Sequence, residues 1–101
     1  MKNTETLVWV LYDIGKDKNR TKAAKACKEA GLYRVQYSVF LGTIQRNRLD
    51  ELSIMLDDLI DPDVDRVYMF PMCDMDFKKV ILHGQAFNKK MVRDEVKNLF
   101  I

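Results

Sequence analysis

The run Leu7-Val8-Trp9-Val10-Leu11-Tyr12-Asp13-Ile14 constrains the fold of this chain more than any other stretch. Every residue in it except Asp13 is apolar or aromatic. Side chains of this kind suit a pleated, buried surface, so the run reads as an inner strand. It ends on a carboxylate, and a charged helix start follows at once, Gly15-Lys16-Asp17-Lys18-Asn19-Arg20-Thr21-Lys22. Burying a lone carboxylate is costly unless it is paired, hydrogen-bonded or metal-bound. Asp13 therefore has three readings: ligand to a divalent cation near phosphate, cap of the following helix, or ion-pair partner of Lys16 or Arg20.

Periodicity orders the rest of the chain. Lys18 to Ala30 is predicted as a helix, with Asp17 as its cap and Gly31 as its stop. Ala23, Ala24, Cys27 and Ala30 form its apolar side, and Lys18, Lys22, Lys25 and Lys28 its charged side. Arg34 to Leu41 alternates as a strand with one polar face, and Gly42 permits a bend into a second short strand, Phe40 to Ile44. Gln45 to Ile60 is the clearest helix, with Leu49, Leu52, Leu56, Leu59 and Ile60 as its stripe, closed by Pro62. Arg66 to Met72 is a strand whose Pro71 marks its end or a sheet edge. Val80 to His83 reads as a short strand stopped by Gly84. Residues 86–98 read as a helix or an irregular arm. The apolar Leu99-Phe100-Ile101 suggests a docked terminal strand, on this chain's sheet or a partner's.

The order is β-α-β-β-α-β with C-terminal additions. It implies an α+β, ferredoxin-like antiparallel sheet with two helices on one face and an additional C-terminal strand. Residues 1–101 are expected to form one domain, with 77–101 as a dimerisation or partner-binding extension. The sheet face away from the helices needs cover in so small a domain, and a homodimer would supply it.

Charge is segregated. Residues 1–48 carry ten Lys/Arg against four Asp/Glu, net +6; residues 49–77 carry one against nine, net −8; residues 78–101 carry six against two, net +4. Such blocks suggest one basic and one acidic surface. Lys16, Lys18, Arg20, Lys22 and Arg34 are candidates for phosphate contact along a duplex, or else a solvated helix face. The acidic run Asp57 to Asp65 lacks calcium-loop spacing and reads as a solvated helix end, or as a surface that keeps DNA away. Cys27 and Cys73 lack metal-ligand spacing. With no signal peptide and no transmembrane run, a reducing cytoplasm is the expected setting. Tyr12, Tyr37 and Phe40 could stack on bases, but packing in the core or at a dimer interface is the plainer reading. His83 reads as a strand or interface residue rather than a general base.

Val10-Leu11-Tyr12-Asp13-Ile14, the basic start through Arg20, Ala24-Lys25-Ala26-Cys27 with Gly31, Arg34-Val35-Gln36-Tyr37-Ser38-Val39-Phe40, and Arg66-Val67-Tyr68-Met69-Phe70-Pro71-Met72 follow one another in an order that resembles the CRISPR-associated protein 2 family. The resemblance covers residue 7 to about residue 83. It implies a ferredoxin-like homodimer that acts in CRISPR adaptation. There the dimer bridges two dimers of the integrase, CRISPR-associated protein 1, and holds the incoming duplex DNA. It also implies, for some members, a metal-dependent endonuclease activity on single-stranded RNA or on DNA, with Asp13 from both subunits sharing a magnesium ion near the dimer axis. Tyr12, Tyr37, Phe40, Leu99, Phe100 and Ile101 are the expected interface residues. The chain departs from the family pattern at Leu41, where many relatives carry an acidic residue, and at Tyr37, which replaces a residue often small or polar. Without the resemblance, a small ferredoxin-like RNA-binding regulatory or toxin-type dimer fits the basic blocks equally well.

Overall fold

A computed structural model of the chain describes residues 5–84. Along them run β1 (Glu5–Asp13), α1 (Asp17–Glu29), β2 (Tyr33–Gln36), β3 (Val39–Gln45), α2 (Arg46–Leu59), β4 (Arg66–Met72) and a short α3 (Asp74–Lys78). The four strands form one sheet in the order β2-β3-β1-β4, and every neighbouring pair is antiparallel. This is the expected ferredoxin-like arrangement. β1 lies inside the sheet, which is why its sequence is apolar almost without a break.

Alternate residues of β1 serve two different clusters. Val8, Val10 and Tyr12 face α1 and α2 and form the main core with Ile14, Ala23, Ala24, Cys27, Phe40, Ile44, Leu52 and Leu56. The small side chains of α1 let that helix lie close to the sheet, and the leucine stripe of α2 fills the remaining space. Leu7 faces the other way, where it joins Leu41 and the fully buried Phe77, with Trp9, Tyr33, Val35, Met72 and Val80 packed around them.

The ends of α1 show how local chemistry sets its bounds. Lys16, not Asp17, is the N-cap residue, and no side chain caps the helix. Asp17 is instead the first helical residue. Its carboxylate pairs with Arg20 one turn on, and it sits where the helix dipole favours negative charge. At the other end Gly31 adopts φ 90°, with Gly31 N–H donating to Lys28 O and Leu32 N–H to Cys27 O. These two bonds make a Schellman stop, and Leu32 closes it by entering the core beside Cys27.

Three further expectations are corrected. The alternating stretch 34–41 is not one strand but a hairpin, turned at Tyr37 and Ser38 and carrying a bulge between Arg34 and Gln36. Arg34 Nε donates to the Tyr37 carbonyl at 3.0 Å and Tyr12 N–H to the Ser38 carbonyl at 3.1 Å, so side-chain and cross-strand bonds hold a turn that contains no glycine. Gly42 does not bend the chain. It lies inside β3, where a Cβ would stand 3.1 Å from Leu32 Cδ2 and 3.3 Å from Leu32 Cα, so glycine is there to admit the close approach. Val80 to His83 is not a strand. The apolar signal there is explained by Val80, which packs beside Phe77, while Ile81 is largely exposed. The second sheet face is accordingly not wholly open, because α3 lays Phe77 over one end of it. Among the described residues β4 lies at the sheet edge, where Pro71 is tolerated. The expected arm at 86–98 and terminal strand at Leu99-Phe100-Ile101 lie outside the described residues, as does most of the expected 77–101 extension.

Candidate functional site

Asp13 is the last residue of β1 and pairs in register with Arg66 of β4. The pairings that precede it on the same face are Leu11 with Tyr68 and Trp9 with Phe70. Asp13 therefore stands on the face away from α1 and α2, at the opposite end from Phe77. It is exposed, and Tyr68 and Phe70 beside it are each about half exposed, at 51% and 48%. Neither of its non-metal readings holds among the described residues. Asp13 does not cap α1, and its carboxylate makes no ion pair with Lys16 or Arg20.

The backbone just beyond Asp13 is clamped from two sides. Ile14 is buried and anchors the exit from β1. Asp65, fifty positions later in sequence, accepts from the Gly15 N–H through Oδ1 and from the Asp61 N–H through Oδ2, both at 2.9 Å. The Asp61 and Gly15 amides hold its carboxyl below the usual range, with Lys16 adding to the effect and slight burial opposing it. From the other side Arg20 donates to the carbonyls of Ile14 at 3.1 Å and Gly15 at 3.4 Å while pairing with Asp17. Asp65 was missed as a site residue because it lies in an acidic run that reads as solvated. The usable signal was its place at the end of that run, immediately before β4.

The basic candidates separate in the same way. Lys16, Lys18, Lys22 and Arg34 are exposed, whereas the Arg20 guanidinium is half-buried and committed to the β1–α1 loop. Arg34 stands over the rings of Tyr37 and Phe40, 5.1 Å and 5.2 Å from their centroids. Between the core and interface readings of the aromatics, Tyr12 and Phe40 belong to the core. Their rings stack at 6.2 Å beneath the helices, leaving no surface for a partner to cover. Burial raises the Tyr12 hydroxyl's pKa, opposed by the nearby Arg34 guanidinium. Tyr37 is 71% exposed at the hairpin tip. His83 is exposed and lies outside any strand.

A metal fits this site only in part. Among the described residues no three His, Cys, Asp or Glu side chains converge. The uncommitted carboxylate of Asp13 is a hard oxygen donor of the type magnesium takes, and magnesium needs only one or two such groups because it keeps several waters. The position at Leu41 offers no second carboxylate, since Leu41 is fully buried beneath Phe77.

The family model of CRISPR associated protein Cas2 matches residues 6–80. The chain belongs to the Cas2 family. It is 44% identical over 69 residues to a CRISPR-associated endoribonuclease Cas2 of Desulforudis audaxviator, an alignment covering 68% of this chain and 65% of that protein. It is 35% identical over 93 residues to a protein of the same name from Korarchaeum cryptofilum, covering 92% of this chain and 97% of that one. Among solved structures, a hypothetical protein from Thermus thermophilus superposes with a TM-score of 0.69 at 30% identity, covering 83% of this chain and 96% of that one. Streptococcus pyogenes Cas2 at pH 6.5 gives a TM-score of 0.66 at 25% identity, covering 77% and 99%. The Cas2 match spans β1 through β4 and includes Asp13, Asp65 and the basic α1. Among the described residues no helix is long and apolar enough to cross a membrane.

Proposed function

We propose that this chain acts as a homodimer in CRISPR adaptation, holding duplex DNA together with the integrase CRISPR-associated protein 1, and that the two Asp13 carboxylates of the dimer share a magnesium ion in a phosphodiester-cleaving site. The observation that carries the proposal is the exposed Asp13, without an ion-pair partner among the described residues, on the incompletely covered sheet face beside the half-exposed rings of Tyr68 and Phe70. A second copy seated on those rings removes apolar surface from water, at about 25 cal/mol per Å². It also brings a second carboxylate to a site that one chain cannot complete. The exposed lysines of α1 supply sequence-independent attraction for a phosphate backbone, weakened by salt as counterion release requires.

The chain's own residues perform the supporting work. Asp65 and Arg20 fix the Gly15 peptide, so Asp13 projects from a braced strand end. Arg66, across from Asp13, supplies positive charge where a phosphodiester would lie. The chemistry expected of a bound magnesium is neutralisation of phosphate charge and a more acidic water.

The test compares wild type with Asp13→Ala on labelled single-stranded RNA and duplex DNA, with magnesium and with chelator. Magnesium-dependent cleavage that falls at least about a hundredfold in the variant, with duplex binding and dimer unchanged, is expected for a carboxylate that holds the metal. Equal cleavage by both proteins, surviving chelation, would remove Asp13 and the metal from the site.

A further inference from the structure

A groove between α1 and the β2–β3 hairpin lies apart from Asp13, and of the residues that brace Asp13 only Arg20 borders it. Its volume is about 340 Å³, at the small end of ligand-sized clefts; Arg20, Lys25, Lys28, Arg34 and Tyr37 border it, and Glu29 is the one acidic residue of its wall. The α1 residues that face it recur from Arg20 to Glu29, and Ala24 between them is nearly buried, so its small side chain leaves the groove its depth.

The wall chemistry is uneven. Lys28 makes no ion pair among the described residues. Lys25 lies 3.9 Å from Glu29, and both side chains are mostly exposed, so that pair is weak and readily exchanged for another anion. On the opposite wall Tyr37 is 71% exposed, yet it is not loose. Its carbonyl accepts from Arg34 Nε, and the Arg34 guanidinium stands over its ring at 5.1 Å. A braced, exposed aromatic ring across from two lysines has the two components that single-strand binding requires, a stacking platform and a cationic track for the backbone.

We propose that this groove holds an unpaired nucleotide of a single-stranded nucleic acid, its base stacked on Tyr37 and its phosphates met by Lys25, Lys28 and Arg34. A duplex keeps its base faces inside the helix and offers the groove phosphates alone, so the ring distinguishes unpaired from paired strands. The proposal rests on the nucleic-acid reading of the basic α1 surface, and on neither Asp13 nor the integrase.

The test measures binding of the full chain, in chelator, to a fluorescent single-stranded oligonucleotide and to the duplex of the same sequence, at two salt concentrations. Tyr37→Ala is expected to weaken single-strand binding about 5- to 150-fold, the span that base–aromatic stacking accounts for, while duplex binding stays within about twofold. Tyr37→Phe keeps the ring and should bind as wild type does. Lys28→Ala should weaken both ligands and flatten the salt dependence by about one unit of slope. The proposal is overturned if Tyr37→Ala binds the single strand as wild type does, or weakens both ligands equally. It is also overturned if Tyr37→Ala loses the dimer, which would make the ring a subunit contact. Wild type that binds duplex but not single strand overturns this proposal and leaves the adaptor role standing. Tyr37-dependent single-strand binding without duplex binding supports the groove and counts against that role.

Discussion

Asp65 shows how one side chain can shape a site without touching its ligand. Both of its oxygens are used, on the amides of Asp61 and Gly15, and the second of these fixes the backbone two residues from Asp13. Because the folded state holds this carboxyl below its usual range, its contribution to stability is fully present above the unfolded value of about 4 and is lost as pH falls through the folded value. Asp65→Asn should therefore be less stable than wild type at neutral pH, and the gap should narrow towards pH 3, as read from urea midpoints at the two pH values. A constant gap would mean that the charge of Asp65 is irrelevant to the clamp. The cysteines make a second contrast at this scale. Burial pushes the Cys27 thiol up to about 12, whereas Cys73 is exposed, its thiol 3.2 Å from an Asp76 oxygen. Thiolate is the reactive form, so a thiol reagent at pH 8 should label one cysteine rapidly in the native chain and two in denaturant. Rapid labelling of both in the native state would contradict the buried place of Cys27.

Among the elements, α3 is the one that its sequence announces least. Five residues long, it is held by Phe77, whose ring packs 6.1 Å from Trp9 and closes the second cluster with Leu7 and Leu41. Phe77→Ala should cost about 3–5 kcal/mol, the range for truncating a buried aromatic, and lower the thermal midpoint by roughly 10 °C or more. A shift of a degree or two would mean that α3 is not docked as described. The longer elements were legible because their periods are clean. β4 was placed at Arg66–Met72 by its apolar content and by Pro71, and α2 by its leucine stripe. The hairpin was not legible, since a two-residue turn without Gly, Asn or Asp leaves the alternation around Tyr37 unbroken and is held by Arg34 from outside the turn. α3 was not legible because so short a helix depends on one tertiary contact rather than on a pattern. At the site, Asp13 stood out as a carboxylate in an apolar run. Asp65 and the bracing role of Arg20 did not, because each depends on contacts between segments or with backbone carbonyls that residue type does not announce.

For the whole molecule, two unlike surfaces flank one sheet. The helix side presents the exposed lysines of α1 and the groove beside the hairpin, suited to phosphate and to an unpaired base. The opposite side presents Asp13 with Tyr68 and Phe70, where the proposed second copy and metal ion would sit. Such a division would let the proposed dimer form without covering the basic helices, and its two-fold symmetry would double the charge available to a duplex. The acidic segment between α2 and β4 is partly committed to backbone amides, Asp61 accepting from Asp63 and Asp65 from Asp61 and from Gly15 of the β1–α1 loop, which gives it a structural role.

The most direct measurement is the mass, by sedimentation or light scattering, of the species formed when this chain is mixed with its cognate CRISPR-associated protein 1 and a short DNA duplex. Wild type and Asp13→Ala should both enter one DNA-containing complex with two copies of this chain and two integrase dimers, because the proposed adaptor role does not require the metal ligand. A chain that sediments alone in the presence of integrase and duplex, or that assembles only when Asp13 is intact, would contradict that role.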